Sequence, residues 1–244
     1  VALRMSLYLV GVKTNSEVLL PPLTFVATAN SIAHLGGVPH FVDIDSESLG
    51  MCPLALDKRL TEVASMRGHE VYNKFTGRKI SAVLPVHVFG LPAKINEIKE
   101  VCSKWKLPLV EDAAESLGSF YKGQHAGRFG ICGILSFNGN KIITTGGGGV
   151  LITDNDHMAE KARHLSSTAK IKHEWRLSHD EIGWNDRMPS INACLGVSQM
   201  EKINEKLLKK KVLFQKYLEH LSSIPFIEFI RSAENTITNN WLIT

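Results

Sequence analysis

Short unbroken apolar runs alternate along this chain with longer stretches in which apolar residues recur every three or four positions. The runs at 17–20, 39–45, 80–86, 107–110, 134–137 and 149–153 read as strands, each closed by Pro, Gly, Asp or Ser. The run Ile-Ser-Ala-Val-Leu-Pro-Val at 80–86 is continuous rather than alternating, as in a strand covered on both faces of a parallel sheet. Helical spacing fills the intervals. Residues 1–11 read as a helix already under way, without an N-cap, and 23–34 as a helix capped by Thr24 or Thr28. Residues 57–66, 93–106 and 155–166 are also helical in pattern, and Ile95, Ile98, Val101, Cys102 and Trp105 share one face. Residues 191–222 read as one long helix that tolerates Gly196, followed by a strand from Pro225 to Ile230. Two stretches lack a period: a polar connection at 67–79, and a His- and Trp-rich loop at 168–190.

Strands alternating with helices predict an α/β architecture, a mostly parallel sheet sandwiched by helices. In such sheets ligands meet the C-terminal ends of the strands. His87, Asp112 and the segment after Phe137 all fall at such ends.

The composition adds limits. In 244 residues, 44% apolar and 21% charged content is that of a soluble globular domain. The net charge of +4 is scattered apart from Lys209–Lys211, which lies in an amphipathic helical pattern and reads as a solvated face, so no nucleic-acid partner is expected. No apolar run has the length of a membrane span, and no signal peptide is visible. Cys52, Cys102, Cys132 and Cys194 are unpaired in spacing and read as buried, reduced thiols of a cytoplasmic protein. His164, His173 and His179 have no metal-ligand spacing, so no metal is assigned.

Candidate chemistry concentrates between residues 111 and 149. Asp112 ends an apolar run, where a carboxylate can cap the next helix or neutralise a protonated ring nitrogen; both readings stay open on residue type. Lys141 stands among Phe137, Ile142, Ile143 and four glycines, Gly146–Gly149; an apolar setting favours the neutral amine needed for Schiff-base chemistry. The glycines match neither GxxxxGK[ST] nor GxGxxG, and suit close backbone packing better than a nucleotide loop. Taken singly, Ser136 is more often a strand-end hydroxyl than a phosphate donor, Phe25 more often a core aromatic than a cofactor contact, and His87 more often a hydrogen-bonded loop histidine than a catalytic one.

The motifs PPLTFVATANSI, PVHVFGLPA, LVEDAAESLGS, GILSFNGNKIITTGGGG and EIGWNDRMPSINACLG follow one another over nearly the whole chain. In this order they resemble the DegT/DnrJ/StrS sugar aminotransferases, pyridoxal-phosphate enzymes of fold type I. The branches most similar in wording are those of the legionaminic-acid pathway and of the perosamine synthases. The resemblance implies pyridoxal 5'-phosphate carried covalently on Lys141, which also moves protons, with Asp112 paired to the pyridine nitrogen. It implies Phe25 on the ring face, Ser136 on the cofactor phosphate, and Glu115 beside the ring oxygen. Asn185 would reach the phosphate of the partner subunit's cofactor, in a homodimer with shared active sites. The implied reaction moves an amino group from an amino acid, glutamate foremost, to the C4 keto group of a nucleotide-linked 4-keto-6-deoxy sugar, for cell-surface polysaccharide, lipopolysaccharide or nonulosonic acid synthesis. Rival readings are a GDP-perosamine synthase-type enzyme, a related dehydratase (which would replace Lys141, typically with His), and a non-catalytic sensor or truncated paralogue on the same fold. Gly147 stands where the family usually has Glu. The resemblance divides the chain into a large cofactor-binding domain at 1–200, lacking the phosphate loop expected before Val1, and a linking helix with the start of a small C-terminal α/β domain at 201–244.

Overall fold

The computed structural model describes residues 1–230 and 233–244. Its elements are helices α1 (Ala2–Leu9), α2 (Val26–Ala33), α3 (Pro53–Val63), α4 (Ile95–Trp105), α5 (Asp156–Ser166), α6 (Ser190–Met200) and α7 (Ile203–Leu221). The strands are β1 (Glu17–Leu20), β2 (Val38–Phe41), β3 (Ala64–Arg67), β4 (Glu70–Asn73), β5 (Lys79–Val83), β6 (Val110–Asp112), β7 (Phe120–Tyr121), β8 (Gln124–His125), β9 (Cys132–Ser136), β10 (Gly149–Ile152) and β11 (Thr236–Ile237).

Strands β2, β1 and β5 pair in parallel, and parallel bridges Val83–Leu109 and Val86–Asp112 carry β5 on to β6. β6 pairs in parallel with β9, and antiparallel β10 closes that edge. The spatial order is therefore β2-β1-β5-β6-β9-β10. Successive residues of a strand face opposite sides. Leu19 and Val83 accordingly join the core under α3 and α4, whereas Val18, Leu20, Ala82 and Leu84 join the core under α1 and α2. This double burial is why the apolar runs show no alternation.

Several sequence expectations need correction. The polar stretch 67–79 is a hairpin: β3 pairs with β4, and β4 pairs antiparallel with the first half of β5. The helix expected at 57–66 starts earlier, with Pro53 in its first turn, and ends at Val63, because the following residues enter that hairpin. Neither Thr24 nor Thr28 caps α2. Phe25 occupies the N-cap position without a side-chain hydrogen bond, and the Thr28 hydroxyl is spent elsewhere. Residues 191–222 form two helices rather than one, separated at Glu201–Lys202. The sequence has no breaker there. The break lets Ile203 and Leu207 pack with Ile142, Ile143 and Trp241. Gly196 continues α6, and its need is proximity, since a Cβ there would lie 2.9 Å from Thr145 Cγ2. Residues 225–230 are not a strand, and among the described C-terminal residues only Thr236–Ile237 pair in a strand, antiparallel to β7. The expected C-terminal domain also takes in residues 231 and 232, which lie outside the described residues. The cysteines are free, but only Cys102 and Cys132 are buried, and burial pushes those thiols up to about 12 and about 11; Cys194 is exposed.

Candidate active site

The strand ends assemble the site. β1 leads through Pro21–Pro22 to Phe25 and α2; β6 ends on Asp112; β9 ends on Ser136; and the segment after it carries Lys141. Because β1, β5, β6 and β9 run in parallel, these ends share one edge of the sheet.

Asp112 is buried, with one carboxylate oxygen accepting the Thr28 hydroxyl at 2.6 Å and the other the Ala114 amide at 3.1 Å. Burial pushes this carboxyl above the usual aspartate range, and the Thr28 and Ala114 donors with the charge of Lys141 only partly offset it. Thr28 has one hydroxyl proton and gives it to Asp112, so at the 2.7 Å Thr24–Thr28 contact Thr24 is the donor. Asp112 thus does bond the backbone two residues on, as a turn carboxylate does, while its other oxygen is set by α2.

Glu115 follows one turn later. Its Oε2 accepts the Phe89 amide at 2.7 Å, and its Oε1 lies 3.3 Å from Lys141 Nζ. Burial raises this carboxyl too, against the charge of Lys141. Phe89 adopts the left-handed region (φ 59°) to present that amide. The Lys141 amine itself does not sit in an apolar environment: besides Glu115 it faces the Trp241 indole, 3.9 Å from the ring centroid. Ile142, Ile143 and Phe137 form the apolar cluster beneath it.

The remaining predicted residues are more dispersed. Ser136 is half-buried, its Oγ 3.4 Å from the Asn138 amide. Phe25 is 70% exposed at the start of α2, as a side chain offering a face to a ligand must be. Asn185 is exposed and bridges Ser167 through its backbone; none of the described side-chain hydrogen bonds connects it with Asp112, Glu115 or Lys141. Among the glycines, Gly148 adopts φ 149°, a backbone conformation that residues with a side chain rarely take.

His87 and Glu111 form a second, wholly buried pair at the back of the site. The Ala93 amide donates to His87 Nδ1 at 3.0 Å, so the ring proton is on Nε2 and is given to Glu111 Oε2 at 2.9 Å. Glu111 also accepts the amides of Gly127, Phe129 and Gly130. Burial works to raise its carboxyl, but the bonds from His87, Gly130 and Gly127 outweigh it and hold it below the usual range. His87 is therefore a scaffold residue, whereas Thr28 and Trp241 are contacts of the site that sequence reasoning missed. Trp241 had no signal, because it lies a hundred residues from Lys141 in sequence. His164 meets Asp180 Oδ1 at 2.6 Å and Glu181 Oε1 at 3.6 Å, a grouping no sequence spacing announced. The Lys161 ammonium also contacts Glu181, so this is a salt-bridge cluster that already holds its cation.

A parallel sheet between two helical layers, with a buried acid and a lysine at adjacent strand ends, defines the fold of pyridoxal-phosphate-dependent transferases of type I. The model of the DegT/DnrJ/EryC1/StrS aminotransferase family matches residues 1–244, and the chain belongs to that family. It is 39% identical over 243 residues to EpsN of Bacillus subtilis (strain 168), which is named as a pyridoxal phosphate-dependent aminotransferase; the match covers 100% of this chain and 60% of that protein. It is 30% identical over 244 residues to the GDP-perosamine synthase of Escherichia coli O157:H7, covering 100% of this chain and 62% of the relative. The solved aminotransferase TlmJ from Streptoalloteichus hindustanus superposes with a TM-score of 0.85 at 27% identity, over 99% of this chain and 62% of that one. The chain thus spans about 60% of the length of the curated relatives it matches. Among the described residues, no helix is long and apolar enough to cross a membrane.

Proposed function

We propose that this chain is the cofactor-binding part of a cytoplasmic, pyridoxal-phosphate-dependent sugar aminotransferase. The carrying observation is the buried carboxylate of Asp112 at the end of β6, with the Lys141 amine and Glu115 beside it. The residues fit the cofactor. A carboxylate desolvated this far, with two donors and a raised pKa, suits a neighbouring ring N–H bearing positive charge. A primary amine lies close by, and an exposed aromatic, Phe25, stands at the head of α2, the helix that supplies the Asp112 donor.

When bound, pyridoxal phosphate supplies the electron sink that lets an amino group leave one carbon and join another. The chain's own residues would do the rest. Asp112 holds a proton at the ring nitrogen. Lys141 Nζ binds the cofactor and then moves the proton between carbon atoms. Glu115 keeps that amine within reach. Phe25 packs on the ring, and Ser136 donates to the phosphate. Asn185 extends to the phosphate in a partner subunit, so the working unit is a homodimer; α6 has no buried residue and leaves Ile191 and Val197 largely exposed, a face a second copy would cover. In this reading residues 1–200 are the large domain, and 201–244 are the linking helix and first part of a small one.

The substrates follow the family: an amino acid donor, glutamate foremost, and a nucleotide-linked 4-keto-6-deoxy sugar aminated at C4, for polysaccharide or nonulosonic acid synthesis. The resemblance of about 30% to GDP-perosamine synthases favours a GDP-linked sugar as the second reading. The test is an absorbance spectrum with pyridoxal phosphate, followed by borohydride reduction and peptide mapping. The expected result is a band that shifts on adding glutamate, with the label on Lys141 and none in Lys141→Ala. A wild-type protein that takes no label refutes the proposal. Product formation from GDP-linked against UDP- or TDP-linked keto sugars decides the nucleotide.

A further inference from the structure

The segment Thr238–Trp241 reaches back over the site from the far end of the chain. Trp241 is buried, and its indole N–H donates to the Asn140 carbonyl at 2.7 Å, the residue just before Lys141. Its amide donates to Asn239 Oδ1 at 2.9 Å, and α7 supplies Lys210 Nζ to its carbonyl at 2.9 Å. Asn239, 2% exposed, spends its Nδ2 protons on the carbonyls of Glu115 and Leu117, at 2.7 and 2.9 Å. Thr238 and Ser119 both donate to the Gly90 carbonyl, next to the Phe89 amide that holds Glu115. Gly90 is fixed by this arrangement, with φ 88° and a Cβ that would stand 2.0 Å from Asn239 Oδ1. One short segment therefore ties the strand end bearing Glu115 to the loop bearing Lys141.

Within that frame the Trp241 ring is not packed as an ordinary core aromatic. Beside Ile142, Ile143 and Leu207 it presents a π face to the Lys141 ammonium at 3.9 Å, with Glu115 Oε1 3.3 Å from the same nitrogen. A ring face attracts a cation and has no such attraction for a neutral group.

We propose that Trp241 is a positioning residue whose ring, with Glu115, forms the seat that receives the Lys141 ammonium whenever that lysine is not covalently engaged. This rests on the reading of Lys141 as the cofactor-bearing residue. An incoming amine, entering as an ammonium ion, would first pass one proton to Nζ to free its lone pair, then bond the cofactor carbon as the bond from that carbon to Nζ breaks. Its two remaining protons would follow to Nζ, and Lys141 would depart as an ammonium. The seat stabilises only that departing side of the exchange, so it drives release of the lysine.

The experiment compares Trp241→Phe with Trp241→Met in the cofactor-loaded protein. Both lose the indole N–H bond to Asn140, and Met refills the volume, so they differ chiefly in the ring face. Methylamine, which exchanges without transaminating, is titrated in, and Lys141 still carrying cofactor is counted after borohydride reduction and peptide mapping. The methylamine needed for half-displacement is expected to be roughly 2- to 30-fold higher in the Met variant than in the Phe variant, the range of a partly desolvated cation–π contact. Equal values, or easier displacement in the Met variant, overturn the seat. If the Met variant gives no cooperative melt, Trp241→Leu takes its place. Wild-type protein with no label on Lys141 would instead overturn the functional reading on which the seat depends.

Discussion

Replacing Thr28 by Val tests the central electrostatic feature of the site, the buried carboxylate oriented from α2. The substitution keeps the β-branched shape and removes the one hydroxyl that donates to Asp112 Oδ2 at 2.6 Å. Both residues are almost fully buried, at 1% and 3% exposure, so water cannot replace the lost donor. A hydrogen bond to a charged group is worth about 1.5–3 kcal/mol net, and the orphaned oxygen carries a desolvation penalty of the same size, so a loss of about 2 kcal/mol is expected. Urea denaturation of the cofactor-free protein at neutral pH measures it. The accompanying pKa change has a definite sign. Thr28 holds the Asp112 carboxyl down against burial, so removing it moves that carboxyl further up. A group raised in the folded state contributes stability that is full below its unfolded value, about 3.9, and lost as pH rises through the folded value. The Thr28→Val deficit should therefore be small near pH 3 and develop as pH rises through the folded pKa of Asp112. In an Asp112→Asn background the same Thr28 substitution should cost at least about 1 kcal/mol less, the coupling expected of a direct pair. A deficit below about 0.5 kcal/mol at pH 7, or additivity of the two substitutions, would refute the argument.

Glu111→Gln should destabilise by about 3 kcal/mol, since an amide cannot accept from His87 and three backbone amides at once. The sign here is opposite to that of Asp112. Glu111 is lowered in the folded state, so its contribution is present above about pH 4.3 and disappears as pH falls through the folded value. The variant's urea midpoint should accordingly depend less steeply on pH in that acid range, and an unchanged slope would contradict the assignment. Gly133→Ala should cost about 3 kcal/mol or more, because its Cβ would meet the Gly127 carbonyl oxygen at 2.3 Å; a melting temperature within a degree of wild type would show that β9 can yield there.

The layered plan was legible because parallel strands buried on both faces leave unbroken apolar runs, and helices packed on them leave a 3.6-residue period. Asp112 and Lys141 were legible for a related reason: each follows the end of its own apolar run. Residues 67–79 were not, since an edge hairpin exposed to solvent needs no apolar pattern, and Glu70 and Tyr72 satisfy one another at the surface. The break at Glu201–Lys202 was invisible too, because it is decided by where Ile203 and Leu207 find a partner and not by a local breaker. By itself, then, the sequence determined the order of elements, the strand ends where chemistry could collect, and which acid and which amine stood there. Only the tertiary structure decided that Thr28 would spend its hydroxyl on Asp112 rather than cap its own helix, and that the Lys141 amine would meet Glu115 and the face of Trp241. Such contacts depend on segments 26 to 100 residues apart closing on one another, and no local pattern encodes the distance between them.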